Sequence, residues 1–517
     1  MVPRVCAGLI AAGVRAGDAV ILLSPNTIEF PIAQLAIQLL PATCVAASPS
    51  SSLEVLAHVV KVSKARWAVV DESVLELVEN VTTVVPDTLR KVWVIGSSSR
   101  NRPSFSRLMK TEWIAWPQQG GDSSFNPAKD VALMQFSSGT TDLPKCVMLT
   151  HCNVLTIYMQ HKCLVENELK DEVVTEAQIL SRVLLVIPLC HSYCSLIFIQ
   201  TVHVGGCSVL MRKFSPDTFL HAIQKYKITF TPIVPHIIDF LVHTPLLEKY
   251  DISSLKSVMS ATSPLAASTL QNFKARVNCR VRQGYGLTES CASVTQNHPA
   301  FGFKMGSVGR VLPYQEVKVV VPGSSVGLPP GEEGEVWVRS PGIMLGYAPV
   351  PGSAPSPPTL KEGGWLPTGD LGHCDHEGFL FITDRIKDVI KVKGFQVSSN
   401  EIADVLRGAE GVGEVVVIAV PSSRLGEVPR AYVVPLPGVP VPSPKALQDY
   451  VAARLPQHKH LAGGVQVVDA IPKNATGKVL KRCLREEYFK ECENSHGGGG
   501  HDREEVTAFL QVNSNEA

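Results

Sequence analysis

Apolar positions fall into short runs separated by polar, Gly- and Pro-bearing stretches, and the runs alternate in period. Ala19–Leu23, Trp67–Val70, Val92–Ile95, Val131–Phe136 and Val147–Leu149 are brief, largely apolar runs that predict buried strands. Val5, Leu9, Ile10 and Val14 share one helical face, so the first segment predicts an amphipathic helix leading through Gly17-Asp18 into the first strand. Thr150 caps a helix over Cys152–Gln160. There follow a strand Val183–Leu189, a helix Ser195–His203 and a strand Cys207–Met211. Ser215 as N-cap and Pro216 at the first helical position open a helix over Asp217–Tyr226. Ile228–Phe230 predicts a strand and Pro235–His243 a helix. Strands alternating with helices from Ala19 to about Leu345 predict an α/β fold: parallel sheets covered by helices on both faces, with ligands at the carboxyl ends of strands.

The later chain has a different texture. Gly327–Glu335 and Arg339–Met344 predict a small β unit closing the large domain, and Ala348–Thr359 predicts an exposed loop rich in Pro, Ser and Gly. Beyond Asp384-Arg385, Ser398-Ser399-Asn400-Glu401 is a capping box for a helix Ile402–Leu406. Strands over Val415–Val420, Ala431–Pro435 and Val465–Val468 and a helix over Lys445–Leu455 complete a small α+β unit. The predicted organisation is a large domain over residues 1–386, a small mobile α+β domain over 387–490, and a disordered tail over 491–517 containing Gly497–Gly500.

Composition narrows this picture. A chain of 517 residues, 45% hydrophobic and 18% charged, is globular and long enough for more than one core. The formal net charge of +1 gives no bulk electrostatic case for nucleic acid. The 13 scattered cysteines suggest no disulfide framework and point to a reducing compartment. Met1–Val14 resembles a short signal peptide but reads better as a helix, so a cytoplasmic protein is expected. Val183–Met211 is interrupted by Pro188, His191, Gln200, His203 and Gly205-Gly206, which argues against a membrane span. Cys190, His191 and Cys194 hint at zinc, but Cys190 and His191 are adjacent and no second Cys/His pair follows at ligand spacing.

Several loops carry chemistry. Ser137-Ser138-Gly139-Thr140-Thr141-Asp142-Leu143-Pro144-Lys145 joins two strands with hydroxyls, a glycine and a closing lysine. Hydroxyls and backbone N–H groups donate to phosphate, and the ammonium supplies a point charge. It is not a Walker loop, and alone it is equally a polar hairpin turn. Gln283-Gly284-Tyr285-Gly286-Leu287-Thr288-Glu289 has two glycines about an aromatic ring, followed by a hydroxyl and a carboxylate. Asp370, after Gly363–Gly369, could accept both hydroxyls of a ribose or simply make an Asx-turn. Pro472–Lys478 presents two lysines on a turn.

Read jointly, Ser137–Lys145, Gln283–Glu289, Trp365–Asp370, Asp384–Gly394 and Pro472–Lys478 resemble the adenylate-forming superfamily of acyl-CoA synthetases, adenylation domains and luciferases. Within it the chain most resembles plant 4-coumarate:CoA ligases and ligase-like proteins, from about Val5 to about Lys490. The resemblance implies that a carboxylic acid attacks the α-phosphorus of ATP, pyrophosphate leaves, and the thiol of CoA then displaces AMP. It implies that Ser137, Ser138, Gly139, Thr140, Thr141 and Lys145 hold the β- and γ-phosphates, that Thr288 touches the α-phosphate, and that Glu289 holds Mg²⁺. Gly284, Tyr285 and Gly286 would bound the adenine, and Asp370 and Arg385 the ribose. Lys478 would serve adenylation by bridging carboxylate and α-phosphate. Lys391, Gly394 and Gln396 would serve thioester formation after the small domain swings about Lys387. His191 would sit by the acyl site and thiol entrance, with Tyr193, Cys194, Ala261, Ser263 and Gly284 lining a moderate, partly apolar pocket. Hydroxycinnamates and medium-chain acids both fit that description. A monomer acting on small molecules is expected.

Departures temper the resemblance. The family usually has Gly where this chain has Asp142, Cys146 and Ala261, several dozen residues of the usual first subdomain are absent, and Asn515-Glu516-Ala517 is not a peroxisomal ending. Cys146 is expected to crowd a place where only a hydrogen fits. Two further readings stand beside the ligase: a degenerate relative that binds nucleotide or acyl ligand without turnover, and an adenylation domain serving a carrier protein. No Gly-Ser carrier segment follows Lys478, which ranks the last of these lowest.

Overall fold

Alternation along the first strands divides the core in two. In the computed structural model Val20, Leu22 and Cys44 point to one side of a sheet, against Val5, Leu9, Phe30 and Ile37. Their neighbours Ile21, Leu23 and Val45 point to the other, against Leu56, Val60, Val78 and Val81. A side-chain period of two on a sheet buried on both faces requires this split. The structure describes residues 1–97, 102–112, 125–137, 143–167, 175–263, 265, 267–298, 302–353, 359–436, 438–473 and 477–495.

The first sheet has seven strands in the order Gly346–Tyr347, Lys145–Thr150, Val131–Ser137, Thr43–Ala47, Ala19–Leu23, Trp67–Asp71 and Lys91–Ile95. Its interior pairings are parallel, as the alternating pattern predicts. Val131–Ser137 and Lys145–Thr150 instead form an antiparallel hairpin closed by the pair Ser137 and Lys145. The second sheet also has seven strands: Arg310–Val311, Thr295–Gln296, Arg280–Tyr285, Ser257–Ser260, Phe230–Ile233, Arg182–Leu185 and Cys207–Leu210. Buried Asn26 ties the sheets together: its Nδ2 donates to the carbonyls of Leu185 and Ile187 at 3.2 and 2.9 Å, and its Oδ1 accepts from the Leu189 N–H at 2.8 Å. A third, four-stranded antiparallel sheet holds Glu316–Val320, Gly334–Arg339, Leu366–Cys374 and Leu380–Arg385.

The last sheet has its own core. Val415, Val417 and Ala419 face the helices Ser399–Arg407 and Pro444–Ala452, while Val416, Ile418 and Val420 face Leu484 of the helix Lys481–Ser495. Ser398 is the N-cap of its helix, accepting from the Glu401 N–H, but the reciprocal half of the expected capping box is not made among the described residues. The Glu401 carboxylate is held by Lys459, with Nζ 2.6 and 2.7 Å from its two oxygens.

Some boundaries differ from expectation. The strand expected at Ile228–Phe230 runs over Phe230–Ile233, where Thr231, though polar, is buried because its hydroxyl donates to the Leu184 carbonyl. Ile10, expected on the buried face of the first helix, is exposed. Ala348 is buried, its N–H donating to the Cys146 carbonyl, so the loop expected from that residue begins after it. The helix Lys481–Ser495 runs past Glu491, and Arg430 pairs with Glu491 at 3.2 Å. Residues 496–517 lie outside the described residues. No described helix is long and apolar enough to cross a membrane. The cysteines are free.

Candidate active site

Four elements bring charge to one region. The strand Arg280–Tyr285 ends in Tyr285, and the short turn Thr288–Ser290 that follows carries Glu289. The strands Leu366–Cys374 and Leu380–Arg385 set Asp370 directly opposite Arg385. Asp370 is buried; its Oδ2 accepts from the Tyr285 hydroxyl at 2.7 Å, and its Oδ1 lies 3.1 Å from Arg385 Nε. Burial pushes the Asp370 carboxyl upward, against the opposing pull of Arg385 and the Tyr285 hydrogen bond. Two of its acceptor positions are thus taken, and a carboxylate has about four, so capacity remains for hydroxyl donors.

Lys478 reaches the same region from the far end of the chain. Burial and Arg385 depress its ammonium to about 8, while Asp370, Asp388 and Glu289 pull the other way. Lys387 is also pushed down, by burial and by the neighbouring Lys145 and Arg385. Lys145, Lys387, Arg385 and Lys478 thus share one electrostatic neighbourhood with Glu289, Asp370 and Asp388. Asp388 is further engaged by Lys481 at 3.5 Å and Arg485 at 3.4 Å, which with its other cationic neighbours hold it below the ordinary carboxylate range despite burial. The balance is positive, as a polyphosphate site requires.

Tyr347 was not foreseen. Its hydroxyl donates to Glu289 Oε1 at 2.8 Å, and Lys145 Nζ lies 5.5 Å from its ring centroid. No periodicity marks a two-residue strand, and the contact exists only because Tyr347 pairs with Val147 beside Lys145. Among the described residues no group of three or more His, Cys, Asp or Glu side chains is set to hold a metal ion. Glu289, a carboxylate linked through Tyr347 to a phosphate-seeking lysine, suits Mg²⁺, which keeps waters and takes phosphate oxygens.

The other expected residues are distributed as follows. Thr288 is half-buried next to Glu289. Gly286 admits no side chain, because a Cβ there would meet Ala292 O at 1.5 Å; Gly284 is restricted by Met259 at 2.7 Å. His191 precedes the helix Ser192–His203; its Nε2 is buried without a hydrogen-bond partner in the structure, and burial pulls the imidazole down to about 4. Tyr193 is buried, its hydroxyl donating to the Met259 carbonyl at 2.7 Å, and Cys194 is fully buried in the main core. Ala261 packs against that core and Ser263 is half-buried; Thr262 between them has φ +80°, an unusual conformation for a β-branched residue. Lys391 and Gln396 form a directly opposed, exposed pair in the hairpin Ile390–Val397, turned by Lys393 and Gly394 at φ +46° and +85°. The Lys391 N–H donates to Glu427 at 2.7 Å. Lys478 is thus the lysine turned to Asp370 and Glu289, and the Lys391 hairpin is exposed.

Ser138, Gly139, Thr140, Thr141 and Asp142 lie outside the described residues. At the base of their loop the Ser137 hydroxyl is 3.5 Å from the Lys145 carbonyl, and His58 Nε2 is 3.1 Å from the Pro144 carbonyl. Cys146 is a correction. Its side chain is buried with Val62 and Ala348, and Lys145, one residue earlier, is exposed. Strand alternation turns the thiol into a small apolar cluster, away from the face carrying Lys145.

Comparison with known proteins decides the family. The AMP-binding enzyme family model matches residues 1–348, and the model of its C-terminal domain matches residues 401–478. The chain belongs to the AMP-binding enzyme family. This AMP-binding enzyme is similar to 4-coumarate–CoA ligase-like 9 of Arabidopsis thaliana, 33% identical over 90% of this chain and 79% of that protein. It is 32% identical to 4-coumarate–CoA ligase 2 of Petroselinum crispum, over 93% of this chain and 86% of the other. In structure it resembles ATP-bound MatB of Rhodopseudomonas palustris, with TM-score 0.80 and 26% identity, over 94% of this chain and 92% of that one. It is an adenylate-forming family member of the acid:CoA ligase type, whose relatives use ATP and CoA.

Proposed function

We propose that this AMP-binding enzyme joins a carboxylic acid of hydroxycinnamate-like or medium-chain type to CoA through an acyl adenylate. The observation that carries the reading is buried Asp370, held by the Tyr285 hydroxyl at 2.7 Å and by Arg385 at 3.1 Å, with the Lys478 ammonium acting on it electrostatically. Lys478 would neutralise charge where carboxylate and α-phosphate react, and pyrophosphate would leave toward Lys145 and the 137–145 loop. Asp370 and Arg385 would hold the ribose, Tyr285 would lie against adenine with Gly284 and Gly286 beside it, and Thr288 would donate to the α-phosphate. Glu289 would hold Mg²⁺, which screens the phosphates. His191, Tyr193, Ala261 and Ser263 would border the acyl site.

For the second half-reaction we propose that residues 387–490 turn about Lys387 and bring Lys391, Gly394 and Gln396 to the site. The turn has a definite cost. Asp384, on the large-domain side of Lys387, caps the helix Ser399–Arg407, its Oδ2 accepting from the Ser399 N–H at 2.7 Å and from the Ser398 and Ser399 hydroxyls at 3.0 and 2.9 Å. These bonds must be exchanged for others. A cavity of about 240 Å³ bounded by Glu333, Asp384, Gln396, Ser398, Glu401 and Lys459 lies at the same seam. Action in a reducing compartment such as the cytoplasm fits the free cysteines, and the enzyme would act as a monomer.

Asp142 supports the second reading, binding without turnover, because it sets a carboxylate in the phosphate loop. A panel of acids assayed for acid-dependent AMP release, with and without CoA, separates the two. Release only with acid, and faster with CoA, is the ligase outcome; nucleotide binding without release under any acid is the other.

A further inference from the structure

We propose that Tyr347 is a positioning residue that presets Glu289 and Lys145 for the metal–polyphosphate end of the nucleotide, an inference that rests on the functional reading above. Its ring stands between the two charges: the hydroxyl donates to Glu289 Oε1 at 2.8 Å, and the face lies 5.5 Å from Lys145 Nζ. The backbone around it is tied to both. Leu345 N–H donates to the Met148 carbonyl at 2.9 Å and Ala348 N–H to the Cys146 carbonyl at 2.8 Å, which fixes Tyr347 to the strand carrying Lys145. Met344 N–H donates to the Glu289 carbonyl at 2.8 Å, which fixes the same segment to the turn carrying the carboxylate. Asn153 clamps the segment from a third side, Nδ2 donating to the carbonyls of Pro341 and Ile343 at 2.7 and 2.8 Å. A half-buried tyrosine held this firmly constrains the orientation of the Glu289 carboxylate. The ring face gives Lys145 a resting place that an arriving polyphosphate can outbid, because cation–π attraction at an exposed site is weak.

Two substitutions separate the functions of the ring and the hydroxyl. Tyr347→Phe keeps the ring face and removes the hydrogen bond; Tyr347→Leu removes both. Mn²⁺ binding followed by electron paramagnetic resonance with a non-hydrolysable ATP analogue should weaken about tenfold in Tyr347→Phe. Binding of the analogue without metal should be unchanged. In Tyr347→Leu metal-free analogue binding should also weaken. In turnover, Tyr347→Phe should raise the apparent KM for Mg²⁺ about tenfold and leave kcat at saturating Mg²⁺ and the KM for the acid near wild type. Wild-type Mn²⁺ affinity in Tyr347→Phe would overturn the proposal, as would equal loss of metal-free analogue binding in both variants, which marks a merely structural role. If wild type binds metal and analogue and the variants separate as stated, but no acid supports AMP release, the ligase reading falls and the role of Tyr347 stands. If wild type binds neither, both fall.

Discussion

The Tyr285 hydroxyl donates to Asp370 Oδ2 at 2.7 Å, across 85 residues of sequence. This bond and Arg385 hold a buried carboxylate in one orientation in advance of the proposed ribose. Pre-ordering of this kind lowers the cost of binding.

Tyr285→Phe keeps the ring beside the proposed adenine position and removes only that hydrogen bond. The KM for ATP should rise roughly tenfold, in keeping with loss of one hydrogen bond to a charged group, while kcat changes less. Steady-state kinetics at saturating acid and CoA check this; an unchanged KM would show that Arg385 alone orients Asp370.

Lys478 and Lys391 should divide the two half-reactions. Lys478→Ala should slow adenylation by about two orders of magnitude or more, the scale of losing one electrostatic stabiliser, and spare thioester formation from a supplied acyl adenylate. Lys391→Ala should do the reverse. Loss of the same half-reaction in both variants would end the swinging-domain proposal.

A pH profile adds to this. With its ammonium depressed to about 8, Lys478 is cationic below that pH and neutral above it. The free-enzyme parameter, kcat/KM for adenylation, should therefore fall as pH rises through about 8. Lys478→Arg stays charged throughout, so whatever activity it retains should lack that descending limb.

The two departures in and beside the phosphate loop should behave differently. Asp142→Gly should improve kcat/KM for ATP roughly tenfold, about 1.4 kcal/mol, by removing a carboxylate near the phosphates. Cys146→Gly should not help ATP use, since the thiol is buried with Val62 and Ala348. It should instead lower stability by about 1–3 kcal/mol through lost packing and a glycine within a strand, measured by denaturant unfolding.

A buried cluster around His161 should contribute to the acid limit of stability. His161 is 2% exposed, and burial pulls its imidazole from 6.5 down to about 4; Glu176, His203, His298 and Arg282 act on it from neighbouring elements. Glu176 itself is held below the usual range by Arg282, 3.0 and 2.8 Å away in a bidentate pair, against its burial. Between about pH 6.5 and 4 the unfolded chain binds a proton at His161 that the folded chain does not. Stability should thus fall as pH drops through that window, by about 3 kcal/mol from this residue. Tm measured from pH 7 to 4 should show the loss, and His161→Gln should lessen it by this residue's share, leaving the part due to His191, whose imidazole is pulled down equally.

Local physics made much of the fold readable. Strands such as Ala19–Leu23 and Trp67–Asp71 are short, mostly apolar runs whose burial needs no partner to be inferred. Ser215-Pro216 and Ser398 start helices because a hydroxyl N-cap and a ring-locked φ act within one turn. The linked motifs Ser137–Lys145, Gln283–Glu289, Trp365–Asp370, Asp384–Gly394 and Pro472–Lys478 made the family legible from the residues alone, and the family comparisons agree.

Only the tertiary structure decided which groups meet. Lys478 stands 108 residues after Asp370, and nothing in either local sequence states that one depresses or steadies the other; their encounter depends on how the two cores pack. Tyr347 shows the same limit, since a Gly-Tyr pair on a two-residue strand has no periodicity and acquires its role by pairing beside Lys145. Cys146 shows it in reverse: adjacency to the phosphate loop suggested crowding, but a strand sends successive side chains to opposite faces, and the hairpin register turned this one inward. Sequence therefore determined the elements and the chemical inventory, which arise from interactions within a few residues. Packing determined the pairings among charges, because Coulomb attraction and desolvation depend on distance in space and not along the chain.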